Sequence, residues 1–522
     1  MIRRNRREFL ADVGRGMLVA SVGWTAAVEM GLTSARADEP GGRLTFGPIE
    51  PLAGLMQDTP AEKLLPLLVA RLKQGVSLRD LVAAGALANV RTFGGEDYVG
   101  FHTMMALAPA YAMSQEMPRG KEALPVLKVL YRNTSRMQAK GGSGAEVLRP
   151  VVADGSRSAD VRELADAVRQ AVHARDLERA ERTYAAVQER PAEDAFNAIL
   201  PTVFDATEVH RVVMPYRAWD LLPIVGREHA HFMLRQSVHY CVTMERNERS
   251  VKHYAGARQI LPRMFDQFKL ESRTLGTRAA EDGWIDQLAT TFFRSTPEQA
   301  AEAAAAAIAE GMSIDSIGEA IALAANQLVL RDEGRPANQV SDGKGPGSVH
   351  GDSIGVHASD SANAWRNMAR ASNPRNAMAC LILGAYQVAD DRRNRGGDFL
   401  NWLPYPRPEH LEKVTATAGP ELLAQLNDAI RSNDQARAAA LVGRMGELGH
   451  PARPVFDILL QYGTSEDGAL HAEKYYRTVC EEFQAARAPF KWRHLVGLAR
   501  VTASEYGRPA PGYAEACRLI GV

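Results

Sequence analysis

The sequence predicts an all-α protein made of two homologous helical repeats packed about a pseudo-twofold axis, as a helical bundle or an α-solenoid-like stack. Three observations carry that expectation. Ala-rich and Leu-rich amphipathic runs recur along the chain, as in Glu62 to Lys73, Leu164 to Val187 and Glu298 to Glu310, divided by short Gly, Pro, Asn and Asp punctuation. Alternating runs of β-branched residues, which would mark strands, are nearly absent. A series of short motifs also appears twice in the same order.

The first 37 residues read as a twin-arginine export signal. Arg6 and Arg7 precede Glu8, Phe9 and Leu10, and Arg3 and Arg4 extend the basic region. The stretch from Ala11 to Leu32 is only mildly apolar and contains Arg15 and Glu29, so it makes a poor stable membrane anchor. Ala35 and Ala37 place small residues at a cleavage site, so the exported chain is expected to begin near Asp38. The expected partner is therefore the twin-arginine translocase, and the expected location is periplasmic or secreted. Residues 38–46 read as a linker.

Repeat one is assigned to 47–245 and repeat two to 283–508, joined by a connecting segment at 246–282 and followed by a tail at 509–522. Gly47-Pro48-Ile49-Glu50-Pro51-Leu52-Ala53 matches Gly283-Trp284-Ile285-Asp286-Gln287-Leu288-Ala289. Thr59-Pro60 and Thr296-Pro297 each read as a cap followed by proline at the first helical position. Each helix then ends at a glycine before a new cap, in Gly75-Val76-Ser77 and Gly311-Met312-Ser313. Gly100-Phe101-His102 matches Gly355-Val356-His357, with Met113 and Met368 eleven residues beyond the histidines. The second copy has a longer, Gly-rich approach from Arg331 to Gly351, where a surface loop would tolerate extra residues. Phe196 to Leu200 matches Phe456 to Leu460.

Composition excludes some functions. Lys plus Arg equals Asp plus Glu at 62 each, so no global field draws nucleic acid, and none is expected as a partner. Cys241, Cys380, Cys480 and Cys517 are widely spaced, without the pairs that bind structural zinc or attach haem. No GxSxG, Walker loop, HExxH or convincing GxGxxG occurs.

Six of the thirteen histidines fall into three matched pairs: His102 with His357, His210 with His471, and His231 with His494. Neutral imidazole binds iron, zinc and copper, so all six are candidate metal ligands, and His102, His210, His357 and His471 are candidate catalytic residues. Asp205 and Glu466, each five residues before a matched histidine, are candidate partners of His210 and His471. The competing reading makes these histidines inherited packing residues. His229 in Glu228-His229-Ala230-His231 points away from His231 on a helix, and His350-Gly351-Asp352 could fold over a ligand as a loop. Tyr111, Tyr216, Trp219, Tyr475, Tyr476 and Trp492 neighbour these positions as core or pocket wall.

His102 opening an Ala-rich helix, His210 heading an apolar one, His357 with Asp360 and Ser361, and His471 with Lys474 together resemble the questin oxidase family over most of the mature chain. The resemblance implies a helical oxidoreductase associated with flavin-independent, ring-opening oxygenation of polycyclic aromatic ketones. This chain departs from that family's first motif at Ala106, where a second His is expected, and the departure weighs on activity rather than on fold. The expected function is an exported oxidoreductase acting on a small organic substrate, aromatic or carbonyl, in a His-lined pocket that admits a transition-metal ion as cofactor. The alternative is a noncatalytic helical scaffold or ligand-binding protein of the cell envelope, in which repeats serve geometry.

Overall fold

A computed structural model describes residues 42–154, 160–341, 344–394 and 396–522. The expected export signal, its expected cleavage site at Ala37 and the expected linker up to residue 41 lie outside the described residues. Among the described residues there are twenty-four α-helices, with isolated bridges such as Gly276 to Ser313 and no strand. The protein is all-α. No helix among the described residues is long and apolar enough to cross a membrane.

The first half runs α1 (Glu50–Asp58), α2 (Ala61–Lys73), α3 (Leu78–Phe93), α4 (Tyr98–Glu116), α5 (Leu124–Ala139), α6 (Val161–His173), α7 (Leu177–Tyr184), α8 (Ala192–Val203), α9 (Val209–Val225) and α10 (Ala230–Arg246). The connecting segment forms α11 (Glu248–His253) and α12 (Ala255–Gln267). The second half runs α13 (Asp282–Arg294), α14 (Pro297–Ala309), α15 (Ile314–Arg331), α16 (Ile354–Ala371), α17 (Pro374–Asn394), a short α18 (Pro408–Leu411), α19 (Gly419–Arg431), α20 (Gln435–Glu447), α21 (Arg453–Ser465), α22 (His471–Ala485) and α23 (Lys491–Glu505). The tail is not featureless: it carries α24 (Tyr513–Ile520), which packs on α5 and α2. Apart from α18, the second half has as many helices as the first.

Local chemistry fixes several of these boundaries. Ser77 and Asp80 form a reciprocal capping box on α3, and Thr296 and Gln299 form one on α14. The proposed equivalence of Thr59 with Thr296 fails at the cap. Pro60 takes the cap position of α2 without a side-chain hydrogen bond, and Thr59 is buried. With Pro60 shifted one place outward, the helix starts at Ala61 and the threonine lies beyond reach of its free N–H groups.

Helices α3, α4, α15 and α16 are buried on nearly every side. Close packing around α4 and α16 explains the matched glycines. A Cβ on Gly100 would lie 2.4 Å from the Phe93 ring of α3, and one on Gly355 would lie 2.5 Å from the Val329 backbone of α15. The two halves also dock reciprocally: α9 packs against α16, and its counterpart α22 packs against α4. These four helices bring the matched histidines to the contact between halves.

Candidate active site: a four-histidine cluster

His102 and His357 sit one turn inside α4 and α16, while His210 and His471 stand at the starts of α9 and α22. His102 and His357 are therefore part of their helices, not of the preceding loops. Reciprocal docking draws all four rings together. His210 Nε2 lies 3.2 Å from His102 Nε2, and His357 Nε2 lies 3.1 Å from His471 Nε2. Ring centroids close a four-cornered figure, with His102 to His210 at 4.7 Å, His210 to His357 at 6.1 Å, His357 to His471 at 5.1 Å and His471 to His102 at 5.2 Å.

The far nitrogens are committed elsewhere. His102 Nδ1 is 2.7 Å from the Tyr98 carbonyl, and His471 Nδ1 is 3.1 Å from the Ala469 carbonyl. A carbonyl only accepts, so both Nδ1 atoms carry hydrogen. His210 Nδ1 donates to Glu208 Oε1 at 2.7 Å. Glu208 also caps α9 through the Arg211 N–H and accepts from the Tyr240 hydroxyl. Burial pushes its carboxyl up, but the His210 ring and these donors hold it down at about 2.

His102 and His471 are held neutral. Burial pushes both well below the ordinary imidazole value, and the nearby Lys474 ammonium adds to the effect. Lys474 is itself lowered to about 8 by burial, against the opposing pull of Asp360. With Nδ1 protonated and the ring neutral, each of these histidines presents a bare Nε2 lone pair. A bare Nε2 on His102, 3.2 Å from the Nε2 of His210, calls for a cation between them or for a proton on His210 balanced by Glu208. The donor chemistry thus fits a transition-metal ion held by Nε2 atoms. Among the described residues, no group of three or more His, Cys, Asp or Glu side chains is already set for one ion. Binding by more than two rings requires the pairs to close on each other.

No family model, curated protein or solved structure matches this chain.

The structure brings together four of the six matched histidines and leaves two apart. His231 stacks on Tyr184 with ring centroids 5.2 Å apart and Arg235 as its neighbouring charge. His494 lies near Glu482 and Arg366. His231 and His494, expected as metal ligands, lie on α10 and α23, which pack against α9 and α22, and make no ring contact with the four among the described residues. Burial lowers His231 to about 3 and His494 to about 4, so both are neutral core residues.

Asp205 and Glu466 also differ from expectation. Asp205 is taken by Arg169 and His173, and Glu466 accepts the N–H groups of Gly507 and Arg508. The acid that serves His210 is Glu208, two residues away, while His471 uses a backbone carbonyl instead. Sequence reasoning missed Glu208, although its capping position before an apolar helix was a usable signal. It also missed Tyr98 and Phe101. Tyr98, exposed to solvent, lies over His102 with centroids 4.3 Å apart, and Phe101 stacks on His102 at 5.0 Å. Trp219, named from sequence, packs on Phe196 with ring centroids 4.6 Å apart. His350 is buried beside Asp352 and Glu505 and makes no ring contact with the four among the described residues.

Proposed function

We propose that this chain is an exported oxidoreductase whose active site is the cluster of His102, His210, His357 and His471, loaded with a transition-metal ion and acting on a small organic substrate. The observation that carries the reading is the facing of Nε2 atoms at 3.1 and 3.2 Å while three of the four Nδ1 atoms already donate elsewhere. Four imidazoles turned Nε2-inward at these distances form a convergent donor set that packing alone does not require. A scaffold would leave all the matched histidines dispersed, as His231 and His494 are, so convergence of the other four favours the enzyme. The oxidoreductase class and the organic substrate rest on the resemblance to the questin oxidase family. Export rests on the Arg6-Arg7 signal.

In this reading the Nε2 atoms of His102, His210, His357 and His471 would hold the ion once the two pairs close on each other, and Glu208 would balance its charge through His210. A bound redox-active ion would polarise a carbonyl or activate dioxygen. Burial, with a smaller contribution from Lys474, keeps His102 and His471 in the neutral form, while Tyr98 and Phe101 cover the His102 ring. We further infer that the two halves descend from one duplicated unit, supported by their common helix order and reciprocal docking.

The test is the metal content of protein purified from its native periplasm. The site expects near-stoichiometric iron, copper or zinc, of which only iron or copper suits the oxidoreductase class, and less than ~0.1 equivalent of any transition metal would remove the reading. Electron paramagnetic resonance then separates redox from purely structural metal. An ion that cannot be reversibly reduced would leave the site and overturn the oxidoreductase class.

A further inference from the structure

His210 and His471 reach the same orientation by different means. In the first half a side chain does the work: Glu208, in extended conformation, caps α9 and takes the Nδ1 hydrogen. At the matching place in the second half stands Ala469, which has no acceptor in its side chain. Its backbone carbonyl substitutes for the carboxylate, at 3.1 Å from His471 Nδ1. Aiming that carbonyl requires an uncommon backbone. Ala469 and Leu470 both lie in the left-handed region, at φ 51° and 68°, and neither is glycine. Two successive residues of this kind persist only where their surroundings hold them.

The support comes from one buried carboxylate. Glu505, the last residue of α23, has its side chain beneath this turn, so that a Cβ on Gly468 would lie 2.9 Å from both of its oxygens. Glu505 Oε1 accepts the Gly351 N–H at 3.0 Å. Gly351 in turn is wedged against the histidine, since a Cβ added there would lie 2.6 Å from His471 Cβ and 2.7 Å from Glu505 Oε1. His350 Nδ1 stands 3.8 Å from the same oxygen. From the other side, Asp467 accepts the Ala469 N–H at 2.9 Å and pairs with Arg132 of α5. The carboxylate, the Gly351 segment and Asp467 thus enclose the turn that carries His471.

We propose that Glu505 is a positioning residue for His471: it clamps Gly351 and the underside of Gly468, holds Ala469 and Leu470 left-handed, and so keeps the His471 Nε2 bare and facing the cluster. This rests on the four-histidine reading for its consequence, though not for its geometry. Glutamine at 505 keeps an oxygen for the Gly351 N–H, whereas alanine leaves that donor and the turn unsupported.

Nitrogen-15 NMR of the full, metal-free chain with labelled histidine reads the outcome directly, with Co(II) titration as the second measurement. Wild type and Glu505→Gln should show His471 as the Nδ1–H tautomer, and their Co(II) affinities should agree within about threefold. Glu505→Ala should lose the single tautomer and weaken Co(II) binding by about tenfold or more, the scale of lost outer support for a metal-binding imidazole. A Glu505→Ala protein that melts earlier yet keeps the tautomer and the affinity would overturn the proposal, because Glu505 would then serve stability alone. Should Glu505→Ala fail to fold, Gly351→Ala replaces it: its new methyl presses on His471 Cβ and should scramble the tautomer, and an undisturbed His471 would overturn the proposal. Failure of wild type to bind Co(II) would strike the four-histidine reading, while the tautomer comparison would still decide the role of Glu505.

Discussion

Tyr98, Glu208 and Ala469 share one task, which is to occupy an imidazole Nδ1 so that the opposite nitrogen is bare. Only Glu208 adds a charge, so its removal should be felt most by a cation. Glu208→Ala is expected to weaken Co(II) or Zn(II) affinity by about 10- to 100-fold, with Glu208→Gln between it and wild type, as isothermal titration would show. An unchanged Glu208→Ala affinity would mean that the carboxylate only caps α9. The four converging histidines were legible in the sequence because short motifs recurring in the same order singled them out. Their partners were not, since whether Asp205 or Glu208 reaches the ring depends on where the helix begins. His231 and His494 passed the same test of order, and only packing separates them from the site. These two make a different prediction. Their folded-state values, about 3 and about 4, lie below the ordinary imidazole range, so the unfolded chain binds more protons between roughly pH 4 and 6.5. Stability should therefore rise with pH across that window, and acidification should remove up to roughly 3 kcal/mol through His494 alone. Urea unfolding at pH 5 and pH 7 tests this: His494→Gln should flatten the difference, and an identical pH slope would refute the assignment.

Helices α5 and α22 meet through charges that no amphipathic pattern announces. Lys128, fully buried on α5, lies 2.7 Å from the buried Glu473 Oε1 of α22 and donates to the carbonyls of Gly463 and Glu466 at 2.8 Å each. Breaking such a pair strands one desolvated charge, whereas replacing both partners strands none. Lys128→Met should thus destabilise the protein by about 3–5 kcal/mol in denaturant unfolding, while Lys128→Met combined with Glu473→Leu recovers most of that loss. Equal damage from the single and double variants would show that the cost lies in packing rather than in charge. Element existence was readable because spacing, proline and glycine act locally, as at Ser77 and Ser313, which cap α3 and α15. The contacts between elements were less so. Helix α4 has apolar residues all round, and nothing in its sequence chooses which face meets α22.

At the level of the whole molecule, the site belongs to neither half. His102 and His210 come from the first and His357 and His471 from the second, and the 5.2 Å approach of His102 to His471 crosses between them. The docking of α9 on α16 and of α22 on α4 holds this arrangement. Sequence order could not show that helices from the two halves would interdigitate, because the crossing depends on shape complementarity across long sequence separations. The covalent link should then be dispensable once the chain has folded. Arg273 and Thr274 are exposed just before α13, so a protease site engineered there can be cut without entering the core. After cleavage the two pieces should co-elute at the mass of the intact chain and keep Co(II) affinity within about threefold, since buried interhelical surface rather than connectivity supplies the association. Pieces separated in denaturant and refolded singly should each bind at least tenfold more weakly, having two of the four imidazoles, and tight binding should return on mixing. If either piece alone binds Co(II) as tightly as the whole, the cluster at the contact between halves is not the metal centre.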